Sequence, residues 1–247
     1  MTSVKDFQRR VFENYKDDLS LPTTYNYYYG NPIHPIVPLD TQPRNIMVIG
    51  AYPTARFASI KSERDVPVGD ITGPFSVEKY YDGSRIRTVS SGKELEDFYL
   101  SPLGLKRELC WITNIVRIFL YKEGHIKKYR RLGCEWPESE TRSEFEKYAE
   151  QGMHWLEEEI TLANPKVIII LGAEVAGILQ KVKSPKKRNA LLGGDLKELT
   201  MGAANYPIIH FAHPGIVMRP GGDRNPWPQL HREVHIPEAR KSLEQLV

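Results

Sequence analysis

Cysteine is scarce in this sequence. Two residues, Cys110 and Cys134, are all that its 247 positions offer. That excludes a disulfide framework, a four-cysteine zinc site and a four-cysteine iron–sulfur cluster. Long apolar runs are missing as well. The stretch 167–172 is far below the ~20 residues that span a bilayer, and residues 1–10 are charged, with no apolar signal core. The expectation is a soluble cytoplasmic protein with no membrane partner. The familiar nucleotide-binding fingerprints are absent too. The segment Gly50-Ala51-Tyr52-Pro53-Thr54-Ala55 lacks the second and third glycines of GxGxxG, and no Gly-Lys-Ser/Thr follows it. Neither charge sign dominates: 34 Lys and Arg face 31 Asp and Glu, a formal +3. That balance permits nucleic acid as a partner without demanding it. There is no internal repeat and no low-complexity domain.

What is present reads as an α/β chain, long enough to bury a sizeable core. Val4, Phe7, Val11, Phe12, Tyr15 and Leu19 recur at helical spacing, predicting a helix over 4–19. An extended stretch follows, with Tyr25, Tyr27, Tyr28 and Tyr29 and the prolines Pro32, Pro35, Pro38 and Pro43. Prolines so dense forbid a regular helix or central strand, so this stretch is expected to wrap a domain surface. Short apolar runs at 45–49, 110–116, 166–171 and 207–211 predict four buried strands. Helices are expected between them, roughly over 139–163, where Pro165 provides the stop, and over 173–182. The pattern implies a single three-layer domain, a central mostly parallel four-stranded sheet flanked by helices. The expected division is 1–43 as an N-terminal helix and wrap, 44–219 as the main domain, and 220–247 as an extension packing on it.

Ligands of such sheets sit beyond the carboxyl ends of the strands. The first strand runs into Gly50, Ala51, Tyr52, Pro53 and Thr54, the second ends near Asn114, and the fourth enters Ala212-His213-Pro214-Gly215. An asparagine amide can donate and accept at once and so can read a base edge. Each of these features alone is an ordinary turn or cap. Their order carries more: a Gly-x-x-Pro loop, then Thr72-Gly73-Pro74-Phe75-Ser76, then Ile112-Thr113-Asn114-Ile115-Val116. The segment Asn-Pro-Lys-Val-Ile-Ile-Ile-Leu-Gly ending at Gly172 and the pair His213-Pro214 complete it. In this order the chain resembles the uracil-DNA glycosylase superfamily over about residues 44–219. It looks closest to the iron–sulfur branches, yet lacks their cluster cysteines, so no cofactor and no metal are implied.

The resemblance implies an enzyme that flips a nucleotide from DNA and cuts the bond between base and sugar. Phe75 would stack on the base, Asn114 would pair with its edge, and His213 would stabilise the departing pyrimidine anion. Gly50, Ala51, Tyr52, Pro53 and Thr54 would form the first loop of the substrate site. A carboxylate that assists the oxocarbenium-like sugar is normally required, but the first loop carries Ala51 and Tyr52 where an Asp, Asn or Glu is common. The candidates to replace it are Glu78, then Asp82, then Asp70. Thr54 stands where strictly uracil-specific relatives have a bulky Tyr, leaving room for a 5-substituent on the base. Ile216, Val217 and Met218 occupy the place of an apolar wedge, with Arg219 suited to a phosphate.

Two basic clusters fit a DNA footprint. One holds Arg117, Lys122, Lys127, Lys128, Arg130 and Arg131 among Phe119, Tyr121 and Tyr129, and the other runs from Lys181 to Arg188. The partner expected is DNA, and the chain is expected to be a monomer. Two functions remain open, a DNA glycosylase acting on a uracil-like or modified pyrimidine, and a non-catalytic binding module that retains the pocket without the acid.

Overall fold

A computed structural model describes residues 3–222 and 224–246. Its strands, in chain order, are β1 (Ile46–Gly50), β2 (Ala55–Ile60), β3 (Glu63–Asp70), β4 (Lys79–Tyr81), β5 (Ile86–Thr88), β6 (Cys110–Asn114), β7 (Val167–Leu171), β8 (Leu196–Met201) and β9 (Ala204–Phe211). The chain divides into two compact units, each woven from separated stretches. The hairpin unit takes Met1–Val37, Tyr52–Gly92 and Val116–Gly152; the sheet unit takes Pro38–Ala51, Lys93–Ile115 and Met153–Val247.

In the sheet unit the strand order is β6-β1-β7-β9-β8. The first four strands are parallel, with Ile46 beside both Cys110 and Val167, and Ile168 beside Ile208. Every residue of β1, β6 and β7 is buried, which explains the unbroken apolar sequences of β1 and β7 and the apolar start of β6 before Thr113 and Asn114: helices cover both faces of such a sheet. Each buried Ile, Val or Leu contributes about 1.5–3 kcal/mol relative to exposure. The expected α/β architecture is present, but the sheet has five strands rather than four. The addition is β8, antiparallel to β9. Its sequence, Leu-Lys-Glu-Leu-Thr-Met, is half exposed and carries charges that suit an edge, so it offers no apolar run to recognise.

The helix expected over 139–163 is in fact three pieces, Arg142–Glu144, Phe145–Gln151 and Met153–Ala163. The break falls at Gly152. A Cβ there would lie 2.8 Å from the Tyr15 hydroxyl, so the close approach of that ring admits only glycine. The apolar stripe runs across the break, which is why periodicity does not reveal it.

In the hairpin unit the helix Val4–Asp18 forms as expected. Ser3 accepts the Asp6 amide at its start, and Phe7, Val11 and Tyr15 are buried along one face. The Tyr/Pro-rich stretch supplies core as well as covering. Tyr25 and Tyr27 are buried while Tyr29 is exposed. The Tyr25 hydroxyl donates to the Phe119 carbonyl at 2.9 Å, and the Tyr121 hydroxyl donates to the Asn26 carbonyl at 2.8 Å. Aromatic bulk is thus buried with its polar tip satisfied. Two antiparallel hairpins, β2–β3 and β4–β5, complete this unit.

Candidate functional site

The sheet unit places Gly50, Asn114 and His213 at the carboxyl ends of its parallel strands. Gly50 and Asn114 are partners in the β1–β6 register, and Ile115 donates to the Gly50 carbonyl at 2.9 Å just beyond it. Asn114 is 3% exposed, and no described residue engages its side-chain amide. A nearly buried amide normally finds partners within the protein, so this one has unused capacity for a ligand.

Alternation along β6 sends Trp111 and Thr113 to the face opposite Asn114. There the Trp111 indole and the Thr113 hydroxyl donate to the two carboxylate oxygens of Glu159, at 2.6 and 3.0 Å. Glu159 is fully buried on the helix Met153–Ala163. Sequence reasoning missed this brace, because 48 and 46 residues separate its partners and neither segment signals the other.

His213 follows β9, caps the short helix Pro214–Val217, and is exposed. Its Nδ1 accepts the Gly215 amide at 3.0 Å. A ring nitrogen that accepts carries no proton, so the neutral ring bears its hydrogen on Nε2, where it is a donor. Gly172, at φ +109, lies beneath the ring; a Cβ there would be 3.7 Å from the His213 Cβ. The preceding residue is fixed as well, since the buried Tyr99 hydroxyl donates to the Ala212 carbonyl at 2.7 Å. Tyr99 is a second positioning residue with no local sequence signal.

Within the wedge candidates the side chains part ways. Val217 is packed with Leu192 and Ala212, whereas Ile216 and Met218 are exposed, as is Arg219. A cavity of about 770 Å³ in the sheet unit is lined by Phe98, Val217, His231 and Ile236 among others, but Asn114 and His213 are not among its walls.

The hairpin unit holds the remaining candidates. Phe75 adopts φ +50, an uncommon conformation for a bulky residue. Its carbonyl would lie 2.2 Å from a Cβ at Gly92, whose amide donates to the Ser76 carbonyl. Glycine at 92 is therefore what lets the chain close over the Phe75 turn. Glu78 accepts Arg56 Nε at 2.7 Å on one oxygen, and the Thr72 amide and hydroxyl at 3.0 and 2.6 Å on the other. Burial pushes its pKa up, but the Arg56 and Thr72 hydrogen bonds outweigh it and leave the carboxyl below its usual range.

Asp82 braces the β4–β5 turn. It accepts the Arg85 and Ser84 amides, the Ser84 hydroxyl and the Arg87 guanidinium. The two backbone amides lead in holding it well below the usual carboxylate range. Asp70 accepts the Tyr27 hydroxyl at 2.8 Å and the His34 amide at 3.0 Å, yet burial dominates and raises its pKa. Pro53 is buried, Thr54 is half-buried, and the Tyr52 ring meets Phe145 edge-on at 5.6 Å, with Arg142 5.6 Å from its centre.

The basic cluster of this unit is only partly a surface. Phe119, Tyr121, Tyr129 and Arg117 are buried, the last with its guanidinium 5.5 Å from the centre of the Phe7 ring. These side chains build the core. Lys128 donates to the carbonyls of Arg64 and Asp65 at 2.6 and 3.2 Å, while Lys127 is exposed with its ammonium 3.7 Å from Glu123.

Among the described residues no group of three His, Cys, Asp or Glu is placed to hold a metal ion. Burial pushes the Cys110 thiol up to about 12, which leaves it inert. No described helix is long and apolar enough to cross a membrane. A comparison with curated proteins gives no match. The model of the uracil DNA glycosylase superfamily matches residues 40–232, a span containing Gly50, Phe75, Asn114 and His213. On that match, with the ordered loops at the ends of a parallel sheet, the chain belongs to the uracil DNA glycosylase superfamily.

Proposed function

We propose that the protein is a DNA glycosylase that excises a uracil-like or modified pyrimidine. The observation that carries this reading is Asn114, nearly buried at a strand end with an amide that no described residue uses. Its amide N–H₂ donates to a base carbonyl and its oxygen accepts from a ring N–H, a pattern that matches uracil and mismatches cytosine. His213 donates from Nε2 to the pyrimidine O2. As the C1′–N1 bond breaks, its electron pair leaves with the base, and that donor meets the negative charge forming on O2. Water adds to C1′ and releases a proton to solvent. The superfamily resemblance gives Phe75 the stacking role and Thr54 the space for a 5-substituent. Ile216 and Met218, exposed beside the cap of His213, take the wedge role, with Arg219 on a phosphate. The protein acts as a monomer in the cytoplasm.

The test is release of free base, detected by mass spectrometry, from DNAs carrying uracil, 5-hydroxymethylated and glycosylated pyrimidines. Excision that vanishes in Asn114→Ala supports the reading. Activity confined to uracil overturns the role given to Thr54.

A second reading has its own observation. Both oxygens of Glu78 are taken by Arg56 and Thr72, and Asp82 accepts four hydrogen bonds. A chain whose candidate acids serve its turns fits a module that binds modified-base DNA without cutting it. Tight binding with no base released decides for that module.

A further inference from the structure

We propose that the β4–β5 hairpin is a second DNA-contacting surface, separate from the base-recognition residues. Tyr81 and Ile86 are direct partners in its register, so their side chains share one face. They are 68% and 70% exposed, and no described residue engages the Tyr81 hydroxyl. Lys79, one alternation away on the same face, is exposed without an ion-pair partner among the described residues, and Arg85 at the turn is 72% exposed.

The opposite face is locked. The Tyr80 hydroxyl accepts the Phe57 amide at 2.8 Å and donates to the Phe57 carbonyl at 3.0 Å. Arg87 donates to Asp65 at 2.7 Å and to the Ser59 hydroxyl at 3.1 Å. An isolated hairpin this short is unstable in water. This one is pinned from within and braced at its tip by Asp82. The fold thus holds an aromatic–aliphatic pair rigidly in solvent, where its apolar surface gains nothing for stability.

Charge decides the occupant. Of the nearby acids, Glu78 is paired with Arg56, while Asp82 and Asp65 share the one guanidinium of Arg87, so that with Lys79 and Arg85 the group keeps an excess of positive charge. Lys79 and Arg85 are left as the outward charges, although the Arg85 guanidinium still lies 3.9 Å from Asp82. A second copy would bring the same positive face against itself in a twofold contact. A DNA strand brings the opposite sign. Its phosphates meet Lys79 and Arg85, and its deoxyriboses pack on Tyr81 and Ile86.

This surface rests on the proposed function for its partner, so the test reads binding and catalysis separately. The full chain is titrated with a fluorescein-labelled undamaged duplex over a salt series, with thermal melting as the check on folding. Tyr81→Ala with Ile86→Ala should weaken binding roughly fivefold to tenfold. Lys79→Glu with Arg85→Glu should lower the slope of log K against log salt by about 0.9 for each phosphate no longer neutralised. Unchanged affinity and slope in both double variants overturn the surface, as does a wild-type chain that binds no duplex. A lower sedimentation mass in the variants, with DNA binding unaltered, assigns the face to a second copy and overturns it too. Base release separates the two claims. Hairpin-dependent binding without excision of any base leaves this surface standing and removes the glycosylase reading.

Discussion

The two units differ in how their candidate polar groups use their hydrogen-bonding capacity. In the hairpin unit the first two candidate acids are engaged through both oxygens: Glu78 takes three hydrogen bonds and Asp82 four. At the strand ends of the sheet unit, Asn114 gives its amide to no described residue, and His213 has its proton fixed on Nε2 because Nδ1 accepts from Gly215. A side chain engaged through each of its polar atoms holds a fold together. One held in place with its amide unused is ready for a ligand. Under the proposed function, that contrast separates scaffold groups from base-recognising ones.

The largest effect should come from the strand ends. Asn114→Ala is expected to lower base release by about 10²–10³-fold, as loss of a preorganised donor does, with little change in melting temperature; single-turnover assays measure it. His213→Ala should act in the same direction. If either variant retains full activity, the contrast loses its functional meaning.

Glu159 tests the brace behind that site. Glu159→Ala leaves the Trp111 indole and the Thr113 hydroxyl without the carboxylate they share. A loss of about 3–6 kcal/mol in denaturant unfolding is expected, two buried hydrogen bonds to a carboxylate at about 1.5–3 kcal/mol each. Glu78→Gln should cost less, about 1–2 kcal/mol, by weakening its Arg56 and Thr72 bonds. Abolished excision with normal stability in that variant would instead make Glu78 the missing catalytic carboxylate, and the engaged side of the comparison would have to be redrawn.

Acid sharpens the contrast at the level of stability. Burial leads in lowering His125 and His210 to about 4. A histidine with a depressed folded pKa contributes its full stability above the unfolded value of about 6.5, where it is neutral in both states. As pH falls from there toward the folded value, the unfolded chain gains protons that the folded chain refuses, so stability falls. Chemical denaturation at about pH 7 and about pH 5 should show that loss, and His125→Phe should reduce it. Asp70 runs the other way. Its raised pKa stabilises the fold while protonated, and that contribution is lost as pH rises through the folded value.

The smallest effect is expected at Lys127. Lys127→Glu should change the salt slope of duplex binding by at most about one phosphate's worth. The same change at Lys128 should also loosen its hold on the Arg64 and Asp65 carbonyls, and would show first in the melting curve.

Much of the sheet unit was legible in the sequence because β1 and β7 are buried on both faces and read as plain apolar runs, and β6 opens as one before Thr113 and Asn114. The ends of β1 and β6 then located Gly50 and Asn114, and the end of the apolar run 207–211 in β9 located His213. What stayed hidden was non-local or local against pattern. β8 is a charged edge, the hairpins alternate too briefly to register, and Gly152 interrupts an apolar stripe that carries on regardless. Glu159 and Tyr99 act on partners far along the chain. The basic segment with Phe119 and Tyr129 looked like a stacking surface because composition alone cannot tell an aromatic core from an aromatic face.

The weaving of the two units has a practical consequence for anyone handling the protein. The chain passes from one unit to the other after Val37, Ala51, Gly92, Ile115 and Gly152. No single cut releases either unit alone and whole: a cut after Gly152 leaves the hairpin unit joined to Pro38–Ala51 and Lys93–Ile115, and a sheet fragment, Met153–Val247, without them. Dissection by truncation at that point therefore splits the sheet core, parting β1 and β6 from β7, β8 and β9. Point substitutions in the intact molecule are the instrument that can address one unit at a time.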